Sequence, residues 1–102
     1  MAINVLTPIE TRYAGILFRS RIEARWALFF DKIGVPWEYK REGYKLDDST
    51  WYLPDFWMPY HNSFIEIKGA KPTLEEEAKA SFLSQQSGKS VFIFHGAIPT
   101  IE

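Results

Sequence analysis

Cysteine is absent from the chain, and histidine occurs only at His61 and His95. The first absence excludes a disulfide framework and any thiolate metal site. The second leaves too few imidazoles for a zinc centre, and neither histidine has a neighbouring nucleophile that would suggest a triad. No apolar run is long enough to span a membrane, and no secretory pattern opens the sequence. There is no GxxxxGK[ST] loop, dinucleotide fingerprint or GxSxG elbow. Repeats and low-complexity tracts are also missing. Net charge is only −1, which argues against a polycation that binds nucleic acid by bulk charge. The expectation is a cytoplasmic protein with no membrane partner.

What is present suits one small globular unit spanning residues 1–102, with 1–12 as an N-terminal arm. Aromatic residues make up 17% of the chain, so the core should be aromatic-rich. Charge is unevenly spread. Eight Lys/Arg face five Asp/Glu up to Lys45, and four face eight thereafter. Any contact with nucleic acid would therefore use a local patch.

Ile3 to Leu6 reads as an edge strand or extended arm, ended by Pro8. Tyr13, Ile16, Leu17 and Phe18 are expected to pack on the helix that follows. Ser20 to Ile33 is the clearest helix. Ile22, Trp26, Phe29, Phe30 and Ile33 form one apolar stripe, Ser20 is the N-cap, and Gly34 stops it. Glu23 lies at the edge of that stripe, with Arg19 on the same side. Its carboxylate either caps the Ser20 amide or faces the sheet as an acidic site group.

Trp37 to Glu42 alternates as a strand, extended past a bulge by Gly43 to Leu46. Asp47 to Thr50 is a turn. Trp51 to Asp55 reads as the second strand and Phe64 to Lys68 as the third. A second helix begins at Pro72 or Thr73 and carries Leu74, Ala78, Phe82 and Leu83 as a weak stripe. Glu75, Glu76 and Glu77 in its first turn suit the helix dipole. Val91 to Phe94 reads as a strand buried on both faces, parallel to the third after a helical crossover.

The stretch Trp51–Gly69 carries the chemistry. Strand alternation puts Ile65 and Ile67 on one face and Phe64, Glu66 and Lys68 on the other. Charge on a buried strand is costly unless paired, hydrogen-bonded or bound to metal. A hairpin through Pro59 to Ser63 would place Asp55, eleven positions earlier, beside Glu66. Two adjacent carboxylates repel unless a cation joins them. Oxygen ligands alone suit Mg²⁺ or Mn²⁺.

Pro54-Asp55 followed by Glu66-Ile67-Lys68 resembles the PD-(D/E)xK signature of the restriction-endonuclease-like nucleases. Phe18-Arg19-Ser20-Arg21-Ile22-Glu23-Ala24-Arg25-Trp26 is similar to the first helix of small phage and bacterial members. The expected order of helix, three-stranded antiparallel meander, helix and strand matches the common core of that α/β fold, a mixed four-stranded sheet flanked by helices. The likeness runs from about Tyr13 to Pro99. The Gln-x-x-x-Tyr element of the exonuclease branches is missing.

The resemblance implies a metal-dependent DNA endonuclease in a bacterial or phage-infected cell. Asp55, Glu66 and the Ile67 backbone carbonyl would hold Mg²⁺ or Mn²⁺, with Glu23 as a possible third acid. Lys68 would orient the attacking water or stabilise developing charge. Arg19, Arg21, Arg25 and Lys71 would meet phosphates. So small a chain implies low sequence specificity, structure-selective cutting or a partner protein for targeting, and a homodimer would let two sites cut both strands. The competing reading is a non-catalytic nucleic-acid-binding or assembly module on the nuclease fold. A protein-binding domain is a third.

Overall fold

The computed structural model describes residues 9–39, 43–45 and 51–100. The expected arm strand Ile3–Leu6, residues 40–42 of the first expected strand and the turn at Asp47–Thr50 lie outside them. The described chain begins with a hairpin, β1 (Thr11–Tyr13) and β2 (Ile16–Phe18). Ala14 and Gly15 link them, both with positive φ, the conformation that matches the twist of a two-residue hairpin. Phe18 at its end is fully buried, and Tyr13 and Ile16 pack on the core. Leu17 alternates outward and is 47% exposed. The expectation that it packs on the helix therefore fails, for a reason of strand period.

α1 spans Arg21–Ile33. The Ser20 hydroxyl accepts the Glu23 amide at 3.3 Å. Gly34 closes the helix in the left-handed region, and the Val35 amide reaches back to the Phe30 carbonyl. Ala24, Trp26, Ala27 and Phe30 form the buried face. Ile33, counted in the stripe, is 47% exposed at the helix end. The Asp31 carboxylate ties the helix to its surroundings, accepting from Tyr13 Oη at 2.5 Å and from Trp37 Nε1 at 2.8 Å.

The remaining strands are β3 (Glu38–Tyr39), β4 (Tyr44–Lys45), β5 (Trp51–Tyr52), β6 (Phe56–Met58), β7 (Ser63–Lys68) and, after α2 (Leu74–Ser87), β8 (Ser90–His95). Four of them make a mixed sheet in the order β3-β6-β7-β8. β3–β6 and β6–β7 are antiparallel, and β7–β8 is parallel across the α2 crossover. β4 and β5 form a separate ribbon. The expected first strand is thus split between β3 and β4. The expected second strand is split too. Trp51–Tyr52 belongs to the ribbon, and the sheet strand is Phe56–Met58, beyond the Pro54 that cannot donate to a ladder.

β7 is the central strand, and its alternation divides the core. Ile65 and Ile67 join Phe56, Met58, Trp26 and Phe30 under α1. Phe64 joins Trp57, Tyr52 and Leu83 under α2. Phe56 lies within 5.3 Å of the Phe30 ring and 5.5 Å of the Tyr39 ring. α2 is capped by a full capping box, Thr73 with Glu76, and ends at Gly88. Its stripe is narrower than the sequence suggests. Ala80 and Leu83 are buried, while Leu74 is 84% and Phe82 44% exposed. β8 is not buried on both faces. Among the described residues it is an edge strand, and Phe92 is 49% exposed. An apolar run marks burial potential, but it does not say how many neighbours a strand obtains.

Truncating Phe56 to alanine should cost about 3–5 kcal/mol, because the buried ring touches both α1 and β3. Leu17→Ala should stay within about 0.5 kcal/mol. Urea denaturation of the two variants checks the contrast, and an equal loss would contradict the outward placement of Leu17.

Candidate functional site

The charged groups gather where β7 ends and β6 begins. β6 pairs Phe56 with Ile65, so one step back brings Asp55 level with Glu66. Asp55 itself lies in the bend before β6 rather than within a strand. Its side chain is 1% exposed. Oδ2 accepts the Ile67 amide at 2.7 Å, and Oδ1 accepts Arg19 Nη2 at 2.7 Å. The N–H and C=O of one strand residue point to the same side. The Ile67 carbonyl therefore faces the same gap, where Pro54 has no N–H to offer it.

Glu66 projects on the α2 face, close enough to both Asp55 and the Tyr52 hydroxyl to raise their pKa values. Lys68 follows on that face, and its Nζ meets Glu76 Oε2 at 2.7 Å. Tyr52, Leu53, Glu66, Lys68, Glu76, Lys79 and Ile93 line a cleft of about 210 Å³. A larger hollow of about 590 Å³ lies elsewhere, between α1 and the sheet, with Phe29, Ile33, Met58 and Phe92 on its walls. That hollow is apolar and holds none of the acidic groups. The small cleft is the candidate site because Glu66, Lys68 and Glu76 line it, with Asp55 buried beside Glu66.

From the α1 side, Glu23 closes the group. It is buried at 5% exposure. Oε1 accepts from Tyr39 Oη at 2.7 Å and Oε2 accepts Arg19 Nη2 at 3.3 Å. The carboxylate is thus turned toward the acids and not to the Ser20 amide. Of the two sequence readings, the backbone N–H of Glu23 serves the cap and its side chain serves the cluster. Tyr39 also accepts the Arg19 amide at 3.1 Å.

Burial is the first cause of the high Asp55 pKa, which is pushed up to about 6, and the adjacent Glu66 carboxyl is the next. The Ile67 amide and Glu23 oppose this without cancelling it. One partly exposed guanidinium shared between two acids does not offset their desolvation. Glu23 is also raised, by burial first and then by Asp55. Burial lifts Tyr39 to about 12 and raises Tyr52 further, with Glu66 beside it. For Lys68, burial works downward, but the Glu76 bond and the Glu66 charge outweigh it and hold the amine protonated. Glu76 is lowered by that same bond.

Asp55, Glu66 and Lys68 are brought together, with Glu23 behind them and Arg19 across them. Arg21, Arg25 and Lys71 are exposed, and Arg25 lines a different hollow with Lys32 and Ile98. Three members escaped the sequence reading. Tyr39 and Tyr52 look like ordinary aromatic strand residues. Glu76 looks like a helix cap, and it is one: Oε1 accepts the Thr73 amide at 2.9 Å while Oε2 takes Lys68. The usable signal was position, since Glu76 opens the helix that directly follows Lys68.

Among the described residues, no group of three or more His, Asp or Glu side chains is arranged to hold a metal ion. Mg²⁺ commonly takes one or two carboxylates and keeps several waters. Asp55, Glu66 and the Ile67 carbonyl are a donor set of that kind, all oxygen. Comparison of the chain with family models, curated proteins and solved structures found no match.

The raised Asp55 pKa has a consequence for stability. A carboxyl that binds its proton more tightly folded than unfolded favours the folded state at low pH, and this advantage is lost as pH rises through the folded value. The Asp55 contribution should therefore fade between pH 3.8 and about 6. Thermal melts across that window should show a smaller decline for Asp55→Asn than for the unaltered chain. Parallel slopes would contradict the assignment.

Proposed function

We propose that this chain is a Mg²⁺-dependent nuclease that hydrolyses DNA phosphodiester bonds, on the restriction-endonuclease-like topology. The observation that carries the reading is the apposition of buried Asp55 with Glu66, which lines a cleft together with Lys68. The element order of helix, antiparallel strands, crossover helix and parallel strand supports it, as does the motif likeness of Pro54-Asp55 and Glu66-Ile67-Lys68.

Asp55, Glu66 and the Ile67 carbonyl would hold Mg²⁺ or Mn²⁺, with Glu23 supporting Asp55 from α1. When bound, the cation offsets charge on the phosphate and makes a nearby water more acidic. Lys68 is an ammonium at neutral pH, so its part is to stabilise negative charge on the phosphate or the leaving oxygen, not to act as a base. Glu76 aims it. Tyr52 sits beside the Glu66 carboxylate. Arg21, Arg25 and Lys71 would track the phosphate backbone, which makes binding salt-dependent. The substrate would be selected by shape or through a partner protein. A homodimer would pair two sites on a duplex, and the setting would be the cytoplasm of a bacterial or phage-infected cell.

One observation favours the second reading, a non-catalytic nucleic-acid-binding or assembly module. Both Asp55 oxygens already accept from protein donors. Incubation with plasmid, branched and single-stranded DNA in Mg²⁺ or Mn²⁺ separates the two. Cleavage should fall at least ~100-fold in Asp55→Ala and Lys68→Ala proteins whose circular dichroism is unchanged. Retarded DNA in EDTA with no cleavage in either metal would establish the binding module instead.

A further inference from the structure

We infer that Arg19 is the resident counter-ion of the buried acids, and that a divalent cation must displace it to bind. This rests on the metal-site reading above. A single nitrogen, Nη2, meets Asp55 Oδ1 at 2.7 Å and Glu23 Oε2 at 3.3 Å. One cationic atom between two carboxylates does the electrostatic work of a metal ion, without its second charge. Exposure runs in the sense required. The Arg19 side chain is 57% exposed, against 1% for Asp55 and 7% for Glu23. The cation is therefore on the outside and the acids beneath it, so the guanidinium can leave without unpacking the core.

The Arg19 backbone is held independently of its side chain. The Arg19 amide is held by Tyr39 Oη at 3.1 Å, and Ser20 next to it caps α1. Swinging the guanidinium outward changes side-chain torsions only, and a long side chain has many rotamers available at the surface. An Arg set free beside the site is a fork suited to phosphate oxygens. Sequence reading expected Arg19 on phosphate, and the structure has it on the acids. Exchange reconciles the two: Arg19 neutralises the acids while the metal is absent and turns to substrate once the acids have a stronger partner.

The competition lowers apparent metal affinity in the unaltered chain. Hydrogen bonds to charged groups are the stronger kind, and exposure discounts them, so removing the charge in Arg19→Gln should tighten Mn²⁺ binding about tenfold in calorimetry. The same variant should melt lower without metal and recover more on adding Mn²⁺. On the unaltered chain, NMR of the Arg19 side-chain N–H should shift on Mg²⁺ titration in step with binding, which needs no variant to fold. Equal or weaker Mn²⁺ binding by a folded Arg19→Gln, or an Arg19 signal that stays put while Mg²⁺ binds, would overturn the inference and leave the metal site standing. Failure of the unaltered, folded chain to bind either ion would remove both.

Discussion

A carboxylate that is almost wholly out of water has to be satisfied from every side, and Asp55 sets that condition for its neighbours. The Ile67 amide answers it from the central strand and Arg19 from the connection into α1. Each answer constrains something larger. The first ties the bend before β6 to β7 at a place where proline has ended the ladder. The second ties the hairpin and the start of α1 to the sheet. A buried ionised group left without partners would cost several kcal/mol, so these contacts fix geometry as well as offsetting charge. The acid cluster and the fold are consequently one problem: the elements that carry the fold also hold the acids in place.

The expected placement of Asp55 beside Glu66 matches the structure more closely than the expected strands around it. A hairpin register follows from turn length and alternation, so Asp55 opposite Glu66 could be read from spacing alone. α1 was legible for similar local reasons, a serine cap, a glycine stop and a period of apolar residues. The strand Trp51–Asp55 was misread because a run of aromatic and apolar residues does not announce that Pro54 will pass the pairing on to Phe56. The edge position of β8 depends on which strands find partners, which is a property of the whole sheet. Leu17 and Leu74 are apolar residues that tertiary placement leaves outside.

The site residues that went unseen share a cause. Tyr39, Tyr52 and Glu76 each have an ordinary local role as strand aromatic or helix cap. Only the fold discloses that Tyr39 donates to Glu23, that Tyr52 faces Glu66, and that Glu76 reaches Lys68. Glu23 gives the same lesson from the other side. Two rival roles could be written for it from the sequence, and the structure divides them between its main chain and its side chain.

The double engagement of Glu76 joins a helix end to the Lys68 ammonium. The carboxylate that closes the first turn of α2 also positions Lys68. Whenever that turn frays, the ammonium loses its partner, so the placement of Lys68 is tied to the local opening equilibrium of a helix terminus. Chain dynamics at Thr73 and electrostatics at the cleft are thus two descriptions of a single mechanical joint.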